Sequence, residues 1–171
     1  MTNQSPAAGD YHPWTTYIFA REEARRRGDR KVGTEHLILG LTCEPVLARA
    51  LGCDLQTARD ALQALDRGAL AAVVGVALDA PPVPSHAPAD LPPRPTLRTV
   101  LLHRLPLTPA AKQALRASGR DIRRGRHIES RDVLLTLLEL QRPDPAAELL
   151  CALGVDRDAV RKSLVGPAPS Q

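Results

Sequence analysis

Aromatic residues are nearly missing from this chain of 171 residues, with one Trp, one Phe and two Tyr making up 2%. A β-sandwich is excluded on that composition, and the interior has to be built from Leu, Val and Ala, which suits short, closely packed helices. Cysteine is scarce as well. Cys43, Cys53 and Cys151 are odd in number, and two lie in apolar helical surroundings where a thiol behaves as a small hydrophobe, so a disulfide scaffold is not expected. No apolar run is long enough to cross a bilayer, and the opening MTNQSPAAGDYHPW lacks the basic and apolar regions of a signal peptide. A cytoplasmic location without membrane contact is expected.

Catalytic signatures are also lacking. No Gly-x-x-x-x-Gly-Lys-Ser/Thr loop is present to cradle a nucleotide phosphate. No serine stands in a Gly-x-Ser-x-Gly turn, and no cysteine has a histidine near it in sequence. His36 has no second ligand four residues on, so it reads as a core or capping histidine rather than a metal ligand. Glu22 and Glu23 are expected on a solvated helix face, with nothing to raise their pKa. Neither an enzyme nor a cofactor site is expected.

Arginine is abundant. The formal net charge is +4, and the excess gathers in Arg25-Arg26-Arg27 and in Arg120, Arg123, Arg124, Arg126 and Arg131. Such sets suit solvated helix faces. They also sustain an alternative reading, a basic helical nucleic-acid-binding module, provided the side chains cluster on one face.

Two stretches, Ala20 to Leu62 and Ala114 to Leu164, read as copies of one helical unit. In the first, REEARRRGD leads into VGTEHLILGL and then LARALGCDLQTARDAL. In the second, LTPAAKQALRASGRDIRRG leads into HIESRDVLLTL and then AELLCALGVDRDAVRKSL. A unit that cannot bury its apolar face alone needs a partner, and here its own copy can serve.

Capping residues and apolar spacing predict the elements. Asp10 opens a helix from Tyr11 or His12 that Gly28 ends after Arg27, with Pro13 in its first turn. Thr34 caps a helix whose Leu37, Ile38 and Leu41 mark it as central to the core. A short helix runs from Pro45 to Leu51, and Asp54 opens a fourth toward Leu65. RGALAAVVGVALDA either prolongs that helix or forms another, since Gly68 and Gly75 weaken a single rod. In the second copy, helices are expected near 108–123, 130–141, 145–153 and 156–165. Gly154-Val155-Asp156 answers Gly52-Cys53-Asp54, where glycine can leave a helix in left-handed geometry and aspartate can cap the next. Leu134, Leu135 and Leu138 are expected in the core. Residues 80–95 carry seven of the sixteen prolines and read as a semi-rigid linker. TLRTVLLHRL beyond it fits a short strand or a helical turn.

At GTEHLILGL, preceded by EEARRRGDRKV, and again at LTPAAKQAL, the sequence resembles the N-terminal domain of the Clp ATPases, the ClpC type in particular. The resemblance covers most of residues 10–65 and 107–164. It implies an all-α fold of about eight helices, two four-helix repeats packed with pseudo-twofold symmetry. The organisation expected is a tail over 1–9, a first repeat over 10–79, a proline-rich linker over 80–106, a second repeat over 107–165 and a tail over 166–171.

In that family the domain docks substrates, adaptors and, in some members, arginine-phosphorylated proteins. The ligand carboxylate falls on Glu35 in the first copy and on Arg131 in the second, where a guanidinium would be repelled. The capping threonine is Thr108 in the second copy and Asp10 in the first, whose charge opposes a phosphate. Each copy therefore keeps a different half. The aromatics that line a cyclic-peptide antibiotic pocket between the copies are Gly9 and Leu107 here. Lys112 matches a family lysine, and Arg116 replaces an expected acid. The resemblance implies a stand-alone, non-catalytic binding protein whose partners are a Clp unfoldase, an adaptor, a substrate peptide or a cyclic peptide, as regulator or decoy.

Overall fold

The computed structural model describes residues 13–74, 105–118 and 129–165, and no strand occurs among them. Eight helices are present among these residues: α1 (Pro13–Arg27), α2 (Thr34–Thr42), α3 (Pro45–Leu51), α4 (Leu55–Val74), α5 (Pro109–Ser118), α6 (Ser130–Leu138), α7 (Pro145–Ala152) and α8 (Arg157–Val165). The protein is all-α, as the composition predicts. Asp10, the linker over 80–95 and Arg120, Arg123, Arg124 and Arg126 lie outside the described residues.

The expected boundaries follow local chemistry. Pro45 and Pro145 stand in the first turns of α3 and α7, where a missing N–H is harmless. Gly52 and Gly154 end α3 and α7 at φ values of 70° and 66°, and the aspartates two residues later cap α4 and α8. Asp54 Oδ1 accepts from Thr57 N at 2.7 Å, and Asp156 Oδ1 accepts from Ala159 N at 3.0 Å. α4 runs unbroken through Gly68 to Val74, so RGALAAVV prolongs the helix, and the rest of that segment, Gly75 included, lies outside the described residues. This distal part leaves the body of the protein, with Leu70 60% and Val73 84% exposed.

Thr34 is not the cap of α2. Gly33 takes that place and Thr34 is the first helical residue, because the cap is made from the other side, by His36 Nδ1 accepting the Gly33 N–H at 3.0 Å. The Thr34 hydroxyl is thereby released for the second copy. α6 uses the same device with a different side chain, Asp132 Oδ2 accepting the Glu129 N–H at 2.9 Å.

α2 is the hub. It packs on α1, α3, α4, α5, α6 and α7, and every residue in it except Glu35 is buried. A stripe was expected, and the helix is instead enclosed all round. Gly40 makes this possible, since a Cβ there would meet Thr16 O at 2.5 Å and Ala20 N at 2.9 Å on α1.

Nearly every packing has a mate under exchange of the copies. α1 on α2 is answered by α5 on α6, α2 on α3 by α6 on α7, α2 on α4 by α6 on α8, α1 on α6 by α2 on α5, and α4 on α7 by α3 on α8. α2 on α6 is its own mate under that exchange. One pair departs: α7 packs closely on α2, while α3 stays farther from α6. The shared core is aliphatic, from Leu37, Ile38, Leu39 and Leu41 to Val133, Leu134, Leu137, Leu138, Leu149 and Leu150, with Ala20, Ala111 and Ala146 among them. Leu135 is only partly buried against it.

Candidate functional site

The segment that enters α5 is stitched to the segment that enters α2. Val32 N donates to Pro106 O at 2.9 Å and Thr108 N donates to Val32 O at 2.9 Å, making a single parallel bridge between Val32 and Leu107. Residues 105 and 106, the end of the expected linker, thus belong to the fold, and Tyr17 Oη also donates to Leu105 O at 3.2 Å.

That bridge joins the segments that lead to Glu35 and to Thr108. Glu35 stands three residues after Val32. Across from it, Thr108 caps α5, its Oγ1 accepting from Ala111 N at 3.2 Å. Leu107 is half-buried against the core. Lys112, one turn into α5, and Arg116, one turn further, are exposed.

Glu35 is folded back on its own helix start. Its side chain is 17% exposed and its Oε1 lies 2.9 Å from His36 Nδ1, while Oε2 is shielded from solvent with no hydrogen-bond partner. A Cβ on Gly33 would collide with this carboxylate, so the glycine admits the fold-back. Behind Glu35 the His36 ring is 1% exposed, and its Nε2 faces Asp29 Oδ2 at 2.9 Å. Asp29 also takes Arg27 Nε at 2.9 Å, and Arg27 reaches Asp66 on α4 at 2.8 Å. Burial opposes the charge on Asp29, but the bond and charge of Arg27, and then the bond to His36, hold its carboxyl below the usual carboxylate range.

The equivalent place in the second copy differs. Arg131 Nε pairs with Glu129 Oε2 at 2.9 Å, both side chains substantially exposed. Glu129, two residues before the aligned position, thus brings a carboxylate to this helix start, and it is engaged by the arginine that holds the aligned position.

Two hydroxyls latch the copies reciprocally. Thr34 Oγ1 donates to Asp144 Oδ1 at 2.8 Å and accepts from Ala146 N at 3.3 Å. Its mate Ser130 accepts from Thr16 Oγ1 at 3.1 Å and hydrogen-bonds Glu44. Asp144 and Glu44 are the caps of α7 and α3. Burial, with the charge of Glu129 beside it, pushes the Glu44 carboxyl up despite the bond to Ser130. The sequence signal for Asp144 was an aspartate before a proline at a helix start. Nothing local pointed to its distant partner.

Glu23 overturns the expectation of a solvated acidic pair. It is 3% exposed, its carboxylate held by Arg59 of α4 and by Arg26, while Glu22 is half-buried. Burial opposes the charge, the arginines outweigh it, and the carboxyl stays below its usual range. The arginine run is spoken for in the same way: Arg25 pairs with Glu22, Arg26 with Glu23, and Arg27 with Asp29 and Asp66. Burial, with Glu23 adding its charge, pushes the Cys43 thiol up to about 12. Burial raises Cys53 too, so neither thiol is an ionised nucleophile near neutral pH. Among the described residues, no cluster of His, Cys, Asp and Glu is arranged to hold a metal ion, and no helix is long and apolar enough to cross a membrane.

Neither a scan against models of protein families nor a search of curated proteins finds a match to this chain.

Proposed function

We propose that the protein is a non-catalytic binding module of the Clp N-terminal-domain type, which takes up peptides, adaptors, cyclic peptides or phosphoarginine-type ligands and so regulates, or acts as a decoy for, a Clp unfoldase. The observation that supports this reading is Glu35: a carboxylate with one oxygen shielded and unpartnered, three residues beyond a bridge that ties its segment to the entry of α5, with its Thr108 cap and Lys112. An unsatisfied carboxylate oxygen costs about 1–3 kcal/mol, more when charged, and a guanidinium is the donor that matches it in charge and shape. A phosphoryl group on that guanidinium finds the N-terminal end of α5 and the Lys112 ammonium across the bridge.

The pairing of halves makes the number of sites specific. Glu35 and Thr108 form one site, whereas Arg131 offers its position a cation already engaged by Glu129. Calorimetry with phosphoarginine is expected to find one site, weakened at least ~30-fold in Glu35→Ala, the loss of about 2 kcal/mol for a charged hydrogen-bonded pair. Two equivalent tight sites contradict the assignment. A pull-down that recovers no Clp component, substrate protein or peptide counts against the wider role. The nucleic-acid alternative rests on the arginines from Arg120 to Arg131, of which only Arg131 lies among the described residues, and steep salt-dependent binding of duplex DNA would favour it.

A further inference from the structure

We propose that His36 is a positioning residue for Glu35 and that its second proton decides whether the Glu35 carboxylate is open to a guest cation; this rests on the reading of Glu35 above. His36 Nδ1 faces two groups that make opposite demands. The Gly33 N–H, 3.0 Å away, needs a lone pair on Nδ1, while Glu35 Oε1, 2.9 Å away, can be satisfied only by a proton there. In the neutral ring the single proton sits on Nε2 and is donated to Asp29 Oδ2 at 2.9 Å. Nδ1 then caps α2 and turns only a lone pair toward Glu35 Oε1, which repels the carboxylate. Oε2 is also unpartnered, so no donor from the protein is spent on the carboxylate.

A second proton, taken from solvent, must go to Nδ1. The new N–H is donated to Glu35 Oε1, Gly33 gives up its acceptor, and the imidazolium lies between the carboxylates of Asp29 and Glu35. Among the described residues, the charged groups linked to this ring are those two, Arg27 of α1 through Asp29, and Asp66 of α4 through Arg27. Asp144, before α7, is engaged by Thr34 and Ala146. Proton and guest therefore compete for one carboxylate, and by linkage each weakens the other by the same factor. Acid should weaken guest binding. The second copy cannot do this, because Asp132 holds the place of His36.

The test uses the full chain. NMR of the imidazole nitrogens is followed against pH in the wild type and in Glu35→Gln, with His36→Gln to assign the signal. Glutamine at that position keeps an acceptor for the cap and cannot ionise. In Glu35→Gln, His36 is expected to bind its second proton at least ~10-fold more weakly, the effect of removing an adjacent opposite charge. Phosphoarginine affinity is then compared between pH 8 and pH 6, where the wild type should lose several-fold more than His36→Gln. The ligand's own phosphate titration is common to both proteins. An unaltered His36 titration in Glu35→Gln overturns the inference, and so does an identical pH dependence of binding in the two proteins. A shifted titration with no phosphoarginine binding at any pH supports the proton link and removes the ligand reading. Should His36→Gln fail to fold, the Glu35→Gln titration alone decides.

Discussion

The starts of α2 and α6 occupy equivalent places in the two copies, and they have been put to different uses. α2 is buried at every position but Glu35, crosses α1 closely at Gly40, and turns into α3 with only Cys43 and Glu44 between. α6 is half-buried along Arg131, Asp132, Leu135 and Thr136. Its Thr136, in the place of Gly40, turns its hydroxyl back to Asp132 O at 2.9 Å. The longer path from Glu139 to Asp144 is pinned by Arg157, which donates to Leu140 O at 2.7 Å and to Ala147 O at 3.1 Å. α7 packs closely on α2, while α3 stays farther from α6. A duplicated backbone therefore need not duplicate its chemistry: the first copy keeps an acid backed by a histidine, and the second spends its acid on an arginine.

Substitutions can break this contrast or sharpen it. The largest effect is expected from Glu23→Gln, which strands the Arg59 guanidinium between α1 and α4 and should cost about 3–5 kcal/mol in urea unfolding. The α5 and α8 pair has no such ion pair among the described residues. Because the folded Glu23 carboxyl lies below its ordinary value, its contribution is present above that value and lost as pH falls through the folded value, so wild type and variant should converge in acid. Gly40→Ala, whose methyl has no room against Thr16 O and Ala20 N, should cost about 1–3 kcal/mol. Its mate Thr136→Ala should cost under ~1 kcal/mol, and equal losses would show the two crossings to be alike. Of the two latches, Thr34→Ala should cost about 1–3 kcal/mol and Ser130→Ala less, since α7 sits closer to α2 than α3 to α6. The reverse order would deny the asymmetry. Arg131→Glu should leave the unfolding midpoint nearly unchanged at this substantially exposed site, and calorimetry should then detect a second phosphoarginine site. Unaltered stoichiometry would remove position 131 from any ligand contact.

The helices were legible where the signals are local. Prolines at helix starts, the Gly-x-Asp turns at Gly52 and Gly154, and the density of Leu in α2 needed no distant information. The cap of α2 was misread because Thr34 is a good cap by type, and only the chain around it reveals that His36 does that work and that the hydroxyl serves Asp144. Glu23 was misread for a related reason. Beside Glu22 in a charged helix it looks solvated, and its burial depends on Arg59, thirty-six residues later. At the candidate site, Glu35, Thr108 and Lys112 were each visible in sequence, but the joining of their segments was not, since that depends on Val32 pairing with Leu107.

The sequence by itself determined a helical, aliphatic, duplicated chain, because helix periodicity, caps and side-chain volume act over a few residues. Only the tertiary structure decided which carboxylates are buried, which arginines are neutralised and which hydroxyls hold the copies together. Those properties depend on solvent exclusion and on charges that meet across more than a hundred positions of chain, as Thr34 and Asp144 do, and no local pattern encodes such a meeting.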